Sequence, residues 1–188
     1  MLTQMRRVGG GWPPWSERPW SPGGPAEETL GAERVFLSTF EKQLDAKRRI
    51  VVPQEFRALA SGPFDGVFCF PSIEADCIEA GGKALFDRHQ AVIEELPFGD
   101  PLRSALETSI LGGASQLCFD TAGRITLPEA LCQDFGLTDW VAVVGLGDRF
   151  QIWEREAFRA HRAAQRLAAR EGLAALRNHQ RLAPKVSA

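Results

Sequence analysis

Leu44-Asp45-Ala46-Lys47-Arg48-Arg49-Ile50-Val51-Val52-Pro53 is the stretch that decides how this chain is read, because it returns. Seventy-five positions on, the sequence runs Phe119-Asp120-Thr121-Ala122-Gly123-Arg124-Ile125-Thr126-Leu127-Pro128, with Asp, Arg, Ile and Pro displaced by one common interval. Four chemically different residue types in register point to an internal duplication of one structural unit. Both copies follow the same local logic. An apolar residue closes a strand, and the Asp opens a tight turn by accepting hydrogen bonds from backbone N–H groups just ahead of it. A β-branched run then forms the returning strand. Arg49 and Arg124 are the first residues of those returning strands. Pro53 and Pro128 stop the ladder and suit the first position of a helix, where a missing N–H costs nothing. Short amphipathic patterns follow over Glu55 to Leu59 and Glu129 to Phe135, each with an acid in the first turn, as the helix dipole prefers.

Outward from the repeat, the chain divides into four expected segments. Residues 1–33, rich in Gly, Pro and Trp and without periodicity, read as a disordered extension. Residues 34–112 read as the first module. After its short helix come a buried strand, Gly66 to Pro71, and a second at Cys77 to Ile78. Two amphipathic helices then form an acidic insertion. Leu85, Val92, Ile93 and Leu96 lie on the apolar face of Lys83 to Leu96, and Leu102, Leu106, Ile110 and Leu111 on that of Asp100 to Leu111. Asp100 and Pro101 suit N-cap and N1, and Gly112-Gly113 is a stop. Residues 113–154 read as the second module, with strands at Ser115 to Phe119, Val141 to Gly145 and Phe150 to Trp153. Residues 155–188 form a basic helical tail, apolar at Phe158, Ala164, Leu167 and Leu176 and frayed from Leu182. The expected fold class is mixed β with helices (α+β).

Composition excludes several function classes. The net charge of -2 makes the chain neither strongly basic nor acidic, but positive charge gathers between Lys42 and Arg57 and from Arg149 onward, so one face can meet a polyanion. Cys69, Cys77, Cys118 and Cys132 form no C-x-x-C pair, and His89, His161 and His179 stand apart. The cysteines read as small buried hydrophobes of a reducing cytosol rather than metal ligands. No Ser occupies a nucleophile elbow and no Gly-rich loop carries a phosphate-binding Lys, so an enzyme, a cofactor and a small-molecule substrate are not expected. Arg6 and Arg7 precede no apolar run, and Trp140 to Gly147 is far too short to span a bilayer, so neither a signal peptide nor a membrane partner is expected. Trp153, Trp140 and Phe150 read as core or subunit-interface residues rather than base stackers.

With Phe36, the two motif stretches, Val143-Val144-Gly145 and Gln151-Ile152-Trp153-Glu154 in view, the chain resembles the MraZ family of bacterial transcriptional regulators, from about Val35 through the tail. That resemblance implies tandem AbrB/SpoVT-like modules folded together as a pseudo-twofold, swapped-hairpin, double-split β-barrel unit. It implies a ring-shaped homo-oligomer, cytoplasmic and nucleoid-associated. The ring would bind double-stranded DNA at G-rich direct repeats in the promoter of the cell division and cell wall gene cluster. Arg49 and Arg124 match the family's motif arginines and Lys47 its motif lysine.

The chemistry of these residues agrees with that implication. An exposed Arg can donate two hydrogen bonds from its planar fork to O6 and N7 of guanine in the major groove. Lys47, Arg48 and Lys42 are suited to neutralising phosphates, which gives affinity without sequence information. Asp45 and Asp120 cannot usefully face phosphate and are assigned, with Gly123, to holding the turns and orienting the arginines. Arg124 has the uncharged neighbours Thr121, Ala122 and Gly123, and it serves either DNA contact or assembly.

Two departures from the family pattern stand out. Arg48 occupies the place where the family, and Gly123 in the second copy, has Gly. If the turn needs positive φ there, Arg costs about 1–2 kcal/mol, so either the turn differs or a phosphate contact compensates. The extension through Glu33 has no counterpart. Two other readings keep the fold but change the role: an antitoxin-type DNA-binding protein, whose tail would be disordered, and a ring scaffold that does not bind DNA.

Overall fold

The computed structural model describes residues 35–60, 62 and 64–182, the last five by their backbone alone. The disorder expected of residues 1–33 lies outside the described residues. The first copy comprises strands β1 (Thr39–Gln43) and β2 (Arg49–Val51), helix α1 (Gln54–Ala60), and strands β3 (Gly66–Pro71) and β4 (Ile78–Gly81). An insertion follows, made of α2 (Lys83–Glu94), α3 (Pro101–Leu106) and a π-helical turn at Glu107–Leu111. The second copy repeats the series with β5 (Ser115–Cys118), β6 (Arg124–Thr126), α4 (Glu129–Asp134), β7 (Trp140–Gly145) and β8 (Phe150–Glu154), and α5 (Arg155–Leu182) closes the chain.

Each copy gives its first strand to the other. β1 pairs with β7 and β5 with β3, so the antiparallel sheet runs β1-β7-β8-β4-β3-β5, an order that maps onto itself when the copies are exchanged. The strands flanking each Asp turn, expected to face one another as a hairpin, therefore take different partners. β2 and β6 leave the large sheet and pair only with each other, Ile50 opposite Ile125. The reason is burial: Ile50 and Ile125 are both fully covered, as are Val52 and Leu127 one step further on, and neither copy alone can bury that row. The six-stranded sheet is open, with β1 and β5 at its edges, and no closed barrel occurs among the described residues.

The shared core is filled by repeat-equivalent side chains, Phe56 and Leu131 among them, and by rings of Phe36, Phe56 and Phe150 whose centroids lie 5.1–5.3 Å apart. Trp153 is buried, with its Nε1–H donating to Gln151 Oε1 at 2.9 Å. Phe158 packs beside Trp153 and seats the start of α5, but Leu167 and Leu176, expected on an apolar face, are exposed. Trp140 is half-exposed beneath the Arg155 guanidinium.

In the insertion, Asp100 Oδ1 accepts from the Leu102 N–H at 2.7 Å, the expected N-cap ahead of Pro101. The second helix does not run regularly to Leu111: the Gly112 N–H donates five residues back to the Glu107 carbonyl, widening the last turn. Leu85, Ile93 and Ile110 are buried against Phe70, whereas Val92 and Leu102 are exposed, contrary to expectation. Val92 adjoins Ile93 and so points about 100° away from its stripe. Cys69, Cys77 and Cys132 are buried, and burial pushes the Cys69 and Cys77 thiols up to about 12. Cys118, expected to be buried like the others, is exposed. It ends edge strand β5, whose alternation turns it outward.

Candidate nucleic-acid interface

The two Asp turns are built alike. Asp45 Oδ1 accepts from the backbone N–H of Lys47 and of Arg49, both at 2.9 Å, and Asp120 Oδ1 accepts from Ala122 and Arg124, again at 2.9 Å. A backbone bond from residue four of each motif to the Asp carbonyl closes the loop, Arg48 to Asp45 and Gly123 to Asp120, each at 2.8 Å. Both fourth residues are left-handed, with φ 58° at Arg48 and 71° at Gly123. The turn is therefore the same in both copies, and Arg48 bears the strain of a conformation glycine adopts freely. Two contacts partly offset this: Arg48 Nε donates to the Leu127 carbonyl at 3.4 Å, and Nη1 lies 3.6 Å from Glu129.

The second carboxylate oxygen of each Asp holds the motif arginine. Asp45 Oδ2 takes Arg49 Nε at 2.7 Å and Nη2 at 2.6 Å, and Asp120 Oδ2 takes Arg124 Nε at 2.7 Å. The Arg49 side chain, with its backbone N–H and then Lys47, holds the Asp45 carboxyl down to about 2 from its ordinary 3.8. Asp120 is lowered as well, first through the Arg124 backbone N–H, and Asp45 in turn raises the Arg49 guanidinium. The arginines are paired on one side and partly open on the other, with 29% and 32% of their side chains exposed. Each Nη carries two hydrogens, so the end of the Arg49 fork, Nη1 with the outer hydrogen of Nη2, stays available for a planar acceptor pair.

Pairing of β2 with β6 then sets the two arginines in one patch. Arg49 stands opposite Thr126 and Val51 opposite Arg124, and with Ile50 and Ile125 turned inward these four residues share the outer face. Arg49 and Arg124 are diagonal neighbours, roughly 7–8 Å apart. The structure thus places both motif arginines on one ribbon. Lys42 joins them in a shallow cleft of about 230 Å³ with Gln43, Asp45 and Val51, its ammonium 5.6 Å from the Phe40 ring. Lys47 is exposed at the first turn, and Arg48 lies toward α4.

One neighbour of the site was missed in the sequence. Arg57 of α1 lays its guanidinium over Gly123, so Gly123 is buried and a side chain there would have to swing that guanidinium aside. The usable signal was the repeat itself. Position 57 matches Cys132, and position 48 matches Gly123, a pair in which Arg and a small residue trade places. No group of three or more His, Cys, Asp or Glu able to hold a metal occurs among the described residues, and no helix there is long and apolar enough to cross a membrane.

Comparison with known proteins adds independent findings. Residues 110–178 match a family model described as "MraZ protein, putative antitoxin-like". The chain is 83% identical over 149 residues to the transcriptional regulator MraZ of Phenylobacterium zucineum (strain HLK1), covering 79% of this chain and 93% of that one. It is 80% identical to the protein of the same name from Caulobacter vibrioides (strain NA1000 / CB15N), at 79% and 96% coverage. It is 40% identical over 146 residues to that of Rickettsia bellii (strain OSU 85-389), at 77% and 97%.

Proposed function

The chain belongs to the MraZ family of transcriptional regulators, and from that premise we propose that it regulates transcription by reading double-stranded DNA with the β2–β6 ribbon. A single observation carries the reading: Arg49 and Arg124, each held by its own Asp, lie together on the one outward face of a two-stranded ribbon. The major groove admits such a ribbon, and a fork oriented from behind by a carboxylate is preorganised for O6 and N7 of guanine. Arg49 and Arg124 read bases. Lys47, Arg48 and Lys42 neutralise phosphates. Asp45, Asp120 and Gly123 keep the turns in shape.

The targets are G-rich direct repeats in the promoter of the cell division and cell wall cluster, and the protein works at the nucleoid in the cytoplasm. One ribbon offers few contacts, so useful affinity comes from a ring-shaped homo-oligomer that engages spaced repeats together. The exchange of β1 and β5 between the halves supports descent from paired AbrB/SpoVT-like modules, divided at residues 34–112 and 113–154, with 155–188 as the tail. An antitoxin role is the weaker reading, because the tail is helical from Arg155 to Leu182 and not an extended wrapping segment.

Binding of the full chain to a duplex bearing G-rich repeats, titrated with salt and set against a scrambled duplex, tests this. A DNA reader loses affinity steeply with salt and prefers the repeat duplex. Salt-independent or absent binding points to a scaffold instead.

A further inference from the structure

The left-handed residue at each end of the ribbon meets the helix of the opposite copy. At one end Arg48 shares a cleft of about 350 Å³ with Cys132 and Glu129 of α4, and at the other Gly123 lies beneath Arg57 of α1. Positions 48 and 123 are repeat equivalents, and so are 57 and 132. Each end thus holds one guanidinium and one small residue, but the guanidinium comes from the turn in one copy and from the helix in the other. A side chain on residue 123 would displace the Arg57 guanidinium from the place it now fills.

We infer that Arg57 is a phosphate-contacting residue of the DNA interface, carrying at the uncharged second turn the charge that Arg48 carries at the first. The inference rests on the DNA-reading function proposed above. The ribbon continues one step beyond β2 and β6 at each end, through Leu127 N–H to the Arg48 carbonyl and Val52 N–H to the Gly123 carbonyl. Arg48 and Gly123 are therefore four rungs apart, about 13 Å at ~3.3 Å per residue. That is close to the width of the major groove, about 12 Å. With the central face of the ribbon turned to base edges, its two ends come to the two phosphate walls. The residues that the second turn encloses, Thr121, Ala122 and Gly123, carry no charge of their own. Arg57 is half-buried, and the planar, weakly hydrated guanidinium of an arginine is suited to meeting phosphate.

Salt titrations on the repeat duplex and on a scrambled duplex of equal length, with melting curves alongside, test the assignment. Arg57→Gln should lose affinity by the same factor on both duplexes and lower the salt slope by about 1 per engaged subunit, while Arg57→Lys keeps the slope. Gly123→Arg alone should melt lower. Combined with Arg57→Cys it rebuilds the first copy's arrangement in the second and should regain the wild-type slope, while melting below the wild-type protein because the Arg then sits at φ 71°. An Arg57→Gln protein that melts lower but keeps the wild-type slope overturns the inference, leaving Arg57 as a filler of the turn. So does a folded double variant whose slope stays low. If the unmodified protein shows no salt-dependent affinity for either duplex, the DNA-reading function itself falls, and this inference with it.

Discussion

The first and second Asp turns share every hydrogen bond that shapes them and differ in almost everything else. Three residues between Asp and Arg are Ala46, Lys47 and Arg48 in one and Thr121, Ala122 and Gly123 in the other. Yet the Asp–Arg distances agree at 2.7 Å and both turns place residue four at positive φ. The carboxylate and the alternation of the following strand thus set the arginine, and the intervening residues are free to carry charge or not. The difference between the turns lies at residue four, where one copy holds a strained Arg and the other a glycine covered by the Arg57 guanidinium.

Residue four is where the second turn is most easily perturbed. Gly123→Val places a β-branched side chain at φ 71° and against Arg57, and should cost about 2 kcal/mol or more in chemical unfolding. A neutral outcome would mean the second turn is not locked. Next comes the equivalence of the two arginines. Arg49→Ala and Arg124→Ala should each weaken binding to the repeat duplex by about tenfold or more while relaxing preference at a guanine. If only Arg49→Ala does so, Arg124 serves assembly, and the ribbon is read from one strand. Smaller still is the effect of Arg48→Gly. Relief of left-handed strain, about 1–2 kcal/mol, is set against added chain freedom and a lost exposed ion pair with Glu129, so stability should move by no more than about 1 kcal/mol.

The smallest effect separates the turns by acid. Asp45 is depressed to about 2 and Asp120 also lies below 3.8, so what each carboxylate contributes to stability is complete above its unfolded value near 4. That contribution fades as pH falls through the folded value, toward pH 2 for Asp45. Carboxyl NMR titration should find Asp45 ionised well below pH 3.8. A normal titration would mean that the Arg49 contact does not persist in solution.

Much of this was legible in the sequence, for reasons that can be named. Asp, Arg, Ile and Pro recurring at one interval marked two equal turns, and the roles of Asp45 and Asp120 follow from side-chain reach alone, because a carboxylate two and four residues from an N–H closes such a turn. Strand exchange was not legible as geometry. Period-2 patterns tell which face is buried but not which strand covers it, so β2 was read against β1 rather than against β6. Arg57 was hidden for a similar reason, since its partner Gly123 lies far along the chain. Val92, Leu102, Leu167 and Leu176 misled because apolar spacing overstates burial where a helix meets its neighbours along a narrow stripe. Cys118 departs from the expectation for its residue type because it ends an edge strand with its side chain turned outward.

Guanine reading by one ribbon that bears both arginines can be decided by a double-mutant cycle between protein and DNA. Replacing guanine by 7-deazaguanine in the repeats removes the N7 acceptor and leaves the base pair intact. If the ribbon reads guanine, this replacement should weaken binding of the unmodified protein but have little further effect on an Arg49→Ala, Arg124→Ala protein, a strongly non-additive cycle. Additive losses, or an unmodified protein indifferent to the replacement, would contradict it.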